Sequence, residues 1–189
     1  MAAKRQDAVA LLKADHRKVE DLFSQFENAK SAARKEKLAK EICLELTVHT
    51  MIEEEIFYPA CKGKIDGDLL AEAYVEHDGA KILIAEIEAE SPEAEFYDAK
   101  VTVLSEEIKH HVKEEEKRSE GMFAEAKAAG LDLEGLGDRM AARKKELLAE
   151  FKLNGLPAPQ TRTFVGNPLK RVAGTKRKET AEAAAMALR

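Results

Sequence analysis

Apolar residues return along this chain at alternating steps of three and four, the spacing of one face of an α-helix. Val9, Leu12, His16, Val19, Phe23 and Phe26 form the first such stripe and predict a helix over residues 5–28. Leu38, Ile42, Leu46, His49, Glu53 and Ile56 predict a second over residues 32–58. Pro59 follows, and a residue without an amide hydrogen should kink or end that helix. Leu70, Ala73, His77, Ala80, Ile84 and Ile87 mark a third helix over residues 68–90. Tyr97, Val101, Leu104, Ile108, His111 and Glu115 mark a fourth. Ser91-Pro92-Glu93 reads as its start, with a capping hydroxyl, a first-turn proline and an acid near the positive helix end. That helix should run to residue 128, with Gly130 ending it. A weaker pattern over residues 136–153 predicts a fifth.

Four amphipathic helices with short turns define an all-α fold, an antiparallel up-down-up-down four-helix bundle, with the fifth helix packed outside it. Periodicity fails after Leu153. The stretch from Asn154 to Thr180 holds three prolines and three glycines, so residues 154–189 read as a mobile tail beyond a domain of residues 1–153. The closing ETAEAAAMALR could form a short helix with little apolar surface to dock.

Charge sharpens this division. The 189 residues carry a net charge of −5, yet residues 154–189 hold seven Lys/Arg against two Asp/Glu. An acidic body therefore carries a basic tail. Lys170-Arg171 and Lys176-Arg177-Lys178 could touch phosphates. Phe164 is the lone aromatic there, so a nucleic-acid partner is not expected. No apolar run is long enough to span a membrane. The first residues lack the apolar middle of a secretory leader, which predicts a cytoplasmic location. Cys43 and Cys61 cannot build a disulfide framework or a cysteine-rich zinc site and read as reduced thiols.

The chemistry lies in what interrupts the stripes. Each of the four contains one histidine: His16, His49, His77 and His111. Glu53 and Glu115 follow His49 and His111 by four residues, about 400° of helix, and so share their faces. Antiparallel folding would bring all six to similar height. An unpaired buried polar group costs roughly 1–3 kcal/mol, and bound cations would offset that cost. Two divalent ions bring four positive charges and the two glutamates remove two, leaving charge for a bound hydroxide or oxide. His110 points about 100° away from His111 and is expected to be partly exposed or to support another ligand. Glu107-x-x-His110 is the one spacing that suits a ferritin-like site, and it lies off the main stripe.

ADHRKVEDLF, HTMIEEEIFYPAC, VEHDGAKILIAEI and HHVKEEEKRSEGMF together resemble the hemerythrin-like, or HHE cation-binding, family over residues 8–123. The resemblance implies a non-heme di-iron centre, two iron ions with an oxo or hydroxo bridge. His16, His49, His77 and His111 would be terminal ligands, and Glu53 and Glu115 bridging carboxylates. It implies binding or sensing of oxygen, nitric oxide, iron or redox state, with a diatomic molecule or peroxide as partner; an alternative is an enzyme consuming peroxide or oxygen. Oxygen-carrying members have a second histidine on the third helix, where this chain has Lys81 or Ala73. That leaves one position open and argues against reversible oxygen carriage. Met122-Phe123-Ala124 replaces a Phe-Pro pair and predicts a longer, less kinked exit from the fourth helix.

Overall fold

The computed structural model describes residues 6–164. Among the described residues all regular structure is helical: α1 (Ala8–Asn28), α2 (Ala32–Ile52), a π-helical turn (Glu53–Phe57), α3 (Tyr58–Cys61), α4 (Gly67–Ala89), α5 (Tyr97–Glu115), α6 (Met122–Ala128) and α7 (Leu133–Asn154). Side chains open several of these. Asp7 accepts from Ala10 N at 2.7 Å and Ser31 from Arg34 N at 3.3 Å. Asp66 and Asp132 do the same for α4 and α7. Such caps satisfy amide donors that the first turn leaves unpaired.

The four long stripes pack in a closed ring. α1 lies on α2, α2 on α4, α4 on α5, and α5 returns to α1. α7 covers the seam of α1 and α2 and touches the π-turn. The interior is split into two apolar clusters. One takes Leu11 and Leu12 of α1, Ile52 of α2, Phe57, Tyr58, Leu70 and Ala73 of α4, Phe123 of α6, and Met140 and Leu147 of α7. The other takes Val19 to Phe26 of α1, Leu38 to Leu46 of α2, Ala80 to Ile87 of α4, and Tyr97 to Val112 of α5. The histidines fall between the two. No helix among the described residues is long and apolar enough to cross a membrane. Cys43 and Cys61 are free, buried and in opposite clusters.

Four expectations need correction. The second helix does not simply kink at Pro59. It widens into the π-turn, where Tyr58 N donates to Glu53 O five residues back. Proline has no amide to offer the next α-type bond, so the helix changes its pairing before it resumes. Ser91-Pro92-Glu93 is a turn closed by Ala94 N to Ser91 O at 2.9 Å, and the helix begins at Tyr97. The exit from α5 is sharper than expected: α5 ends at Glu115 and α6 restarts at Met122. A Cβ at Gly121 would lie 2.6 Å from both Glu115 O and Lys117 N, so this reversal needs a glycine.

The last correction concerns the tail. Gly155, with φ of 79°, turns the chain off α7. Residues 156–163 then run back over α4. Asp78 Oδ2 accepts from Arg162 N and Thr163 N, each at 2.7 Å, and from Thr163 Oγ1 at 2.9 Å. Leu156 packs against both apolar clusters. The start of the stretch expected to be mobile is thus anchored by a nearly buried carboxylate. The remaining tail, with Lys170-Arg171, Lys176-Arg177-Lys178 and the terminal ETAEAAAMALR, lies outside the described residues.

Gly137 sets how closely α7 approaches the start of α1, since a Cβ there would meet Gln6 O at 2.5 Å and Ala8 N at 2.8 Å. Gly137→Ala should lower stability by about 1–3 kcal/mol in urea denaturation, because backbone must move. Gly67→Ala, with no atom within 4 Å of its added carbon, should not.

Candidate metal centre

All six inward donors meet in the layer between the apolar clusters. His16, His49, Glu53, His77, His111 and Glu115 are each buried. They form two groups whose donor atoms lie within 4.8 Å of one another: His16, His49, Glu53 and Glu115, and then Glu53, His77 and His111. Glu53 belongs to both. His16 and His49 bring their Nε2 atoms to 3.3 Å, and His77 and His111 to 3.2 Å. His49 Nε2 lies 3.1 Å and His77 Nε2 3.3 Å from Glu53 Oε2. His16 Nε2 is 3.4 Å from Glu115 Oε2.

The outward nitrogen of each imidazole faces a second carboxylate. His16 Nδ1 is 2.8 Å from Glu116, His77 Nδ1 3.1 Å from Glu54, and His111 Nδ1 2.7 Å from Glu76. His49 Nδ1 stands 3.6 Å from Asp15, a charge contact rather than a hydrogen bond. Each acid comes from the preceding helix in the ring. α1 supports the histidine of α2, the π-turn after α2 supports α4, α4 supports α5, and the residue after α5 supports α1. Cations hold this outer ring in place: Lys144 on Asp15, Lys81 on both Glu54 and Asp78, and Arg17 on Glu116.

Sequence reasoning missed these four acids, though each adjoins an inner donor in the chain: Asp15-His16, Glu53-Glu54, Glu76-His77 and Glu115-Glu116. One residue is about 100° of helix, enough to aim a side chain at the neighbouring helix instead of the axis. Tyr58 was missed for another reason. Five residues turn an α-helix about 500°, which would aim Tyr58 far from Glu53. The π-turn closes i to i+5 pairs and brings both to one face. Tyr58 Oη then lies 3.2 Å from Glu115 Oε1, 3.1 Å from His77 Nε2 and 3.5 Å from Glu53 Oε2. His110 remains outside this layer and is exposed on α5.

The electrostatics suit cations. Burial pulls the His49 pKa down, but the Glu53 and Asp15 carboxylates together outweigh it and lift the value to about 10. Burial likewise opposes His111, and Glu115 with Glu76 raises it to about 9. Burial works against ionised Glu53, yet His49 and His77 hold its carboxyl well below the usual range. Burial, with Glu53 and Glu115 beside it, keeps the Tyr58 phenol protonated far above its usual range. Without a metal, these carboxylates favour the protonated forms of His49 and His111.

The donor set fits bound cations. Nδ1 of His16, His77 and His111 is engaged by an acceptor, which leaves Nε2 as the inward lone pair. Glu53 Oε1 and Glu115 Oε2 are buried without a hydrogen-bond partner. Nitrogen and oxygen donors of this kind suit divalent first-row metals.

Comparison with known proteins agrees. The hemerythrin HHE cation binding domain model matches residues 7–123, so this chain belongs to that family. A hemerythrin HHE cation binding domain-containing protein from Mycobacterium kansasii superposes with a TM-score of 0.66. It is 22% identical, and the match covers 81% of this chain and 96% of that one. A DNA nickase from Nostoc sp. (strain PCC 7120) is 29% identical over 106 residues, 56% of this chain. This chain spans only 30% of that protein's length.

The raised His49 and His111 values make the stability of the metal-free chain depend on pH. His49 and His111 rise from an ordinary 6.5 to about 10 and about 9, so their pairing stabilises the metal-free fold below pH 6.5. That contribution is lost as pH rises through about 9 to 10. Urea denaturation of the chelated chain should give a lower midpoint at about pH 10 than at about pH 8. Equal midpoints would contradict the assignment.

Proposed function

We propose that this chain is an antiparallel up-down-up-down bundle holding two cations in its interior, with iron as the resident metal. It binds or senses a small oxidant such as oxygen, nitric oxide or peroxide. The carrying observation is the pair of donor groups joined through Glu53. One centre takes His16 and His49, the other His77 and His111, with Glu53 between them and Glu115 closing the set. Alternating helix direction is supported by the apolar clusters. One cluster gathers the start of α1 and α4 with the end of α2, and the other gathers the opposite ends.

The bound pair would supply Lewis acidity and one-electron redox capacity to a small ligand. The chain's own residues set the conditions. The outer acids fix each imidazole's tautomer and ring plane. Tyr58 keeps its proton and donates to Glu115, while its oxygen stands ready as a further donor near His77. Lys81, one of the two positions where oxygen-carrying relatives would have a second histidine, is committed to Glu54 and Asp78, and the other is Ala73. The centre therefore has one imidazole fewer and a phenol nearby. That composition supports sensing or peroxide chemistry over reversible oxygen carriage. The nickase's activity is not carried over, because the match spans under a third of that protein.

Chain produced with iron should contain about two metal ions and show absorbance of a bridged ferric pair. His49→Ala should lose at least half of that metal. Iron content well below one per chain in the unaltered protein would sink the proposal. Glu54→Gln, which removes the negative charge behind His77, should weaken metal affinity by about tenfold while leaving helix content unchanged. Loading at neutral pH must displace the protons on His49 and His111. Affinity should therefore tighten between about pH 6 and 8, with about two protons released per chain in a pH-stat titration.

A further inference from the structure

Outside the buried layer, Glu72 and Glu76 of α4 and His110 of α5 form a third donor group. One ligand atom from each lies within 4.8 Å of the others. Glu72 and Glu76 are one helical turn apart on the same face, and His110 reaches them from across the α4–α5 seam. Glu76 has two engagements. Its Oε2 lies 2.7 Å from the Nδ1 of buried His111, and its Oε1 lies 3.6 Å from the Nε2 of exposed His110. One carboxylate thus touches both the surface group and an inner imidazole.

A narrow crevice joins the same two levels. About 10 Å³ of open space is lined by Glu72, Glu76 and Glu114 on its outer side and by His111 and Glu115 within. That volume holds about one water-sized sphere, or one cation stripped of most of its water. Glu115 is 2% exposed, and its Oε2 has no hydrogen-bond partner. A buried carboxylate of the inner donor set therefore lines the inner end of the passage, whose remaining wall is Leu69, Ala73 and Met122. A donor layer sealed between two apolar clusters needs such an entry path for metal.

We propose that Glu72, Glu76 and His110 form a surface capture site for a divalent transition-metal cation and pass it through this crevice to the buried donors. Two carboxylates and one imidazole occupy one side of the ion and leave the rest to water, so binding is weaker than inside. Glu76 and Glu115 then offer successive oxygens along the way, and His111 stands at the end. The delivery step rests on the inner donors being a metal centre; the capture step does not.

The test uses the full chain, stripped of metal with a chelator and titrated with Co2+ alone. A double variant, Glu72→Gln with His110→Ala, changes only exposed side chains that touch none of the six inner donors. Unaltered protein should bind one weak equivalent beyond the tight ones, and the variant should lack it. The variant should also fill its tight sites about tenfold more slowly at low ionic strength, a gap that closes as salt is added. Its final tight stoichiometry and helical circular dichroism should match the unaltered protein. An unchanged weak equivalent would overturn the capture site, and an unchanged filling rate would overturn delivery. If the unaltered chain binds only the weak equivalent and the variant none, capture stands and the reading of the inner donors fails.

Discussion

Two pairs of imidazole nitrogens face each other at 3.3 and 3.2 Å in the buried layer between the apolar clusters. Two lone pairs at that distance repel unless a proton or a cation lies between them. In the metal-free chain Glu53 with Asp15 favours protonated His49, and Glu115 with Glu76 favours protonated His111. A cation serves in the proposed loaded form. Much of the surrounding structure answers this one demand. Glu53 and Glu115 balance charge inside, four acids face the outward nitrogens, and lysines and arginines hold three of those acids, Asp15, Glu54 and Glu116, from the surface.

The outer ring also explains how separate helices keep a common register. Each acid lies beside an inner donor in sequence but contacts the histidine of the next helix around. Sliding one helix by a turn would break two such contacts at once, one made and one received. Buried charge in this arrangement specifies geometry at least as much as it adds stability. α7 joins through Lys144 on Asp15 and Arg143 on Glu55. It is therefore more than an apolar cover for α1 and α2.

The four long helices were legible because a three-four rhythm directly reports which side of a helix is buried. The six inner donors were legible for the same reason, since each one sits within an apolar stripe. Tyr58, Glu54 and Glu116 were not, because they depend on departures from regular helix. The π-turn redirects Tyr58, and the break after Glu115 frees Glu116 to reach His16. Chain ends posed a different problem. Residues 156–163 have no periodicity, and their hydrogen-bonding anchors include an aspartate, Asp78, that nothing in the pattern distinguishes from its acidic neighbours.

The widened turn at Glu53–Phe57 places foldability and chemistry in opposition. Deleting one residue there would let the backbone return to uninterrupted α pairing, at least as far as Pro59. Every side chain beyond the deletion would swing by about 100°, carrying the Tyr58 phenol away from Glu115. Such a shortened protein would be a better rod and a poorer cage. The extra residue is a local defect in the rod, and rigidity alone gives no reason for it.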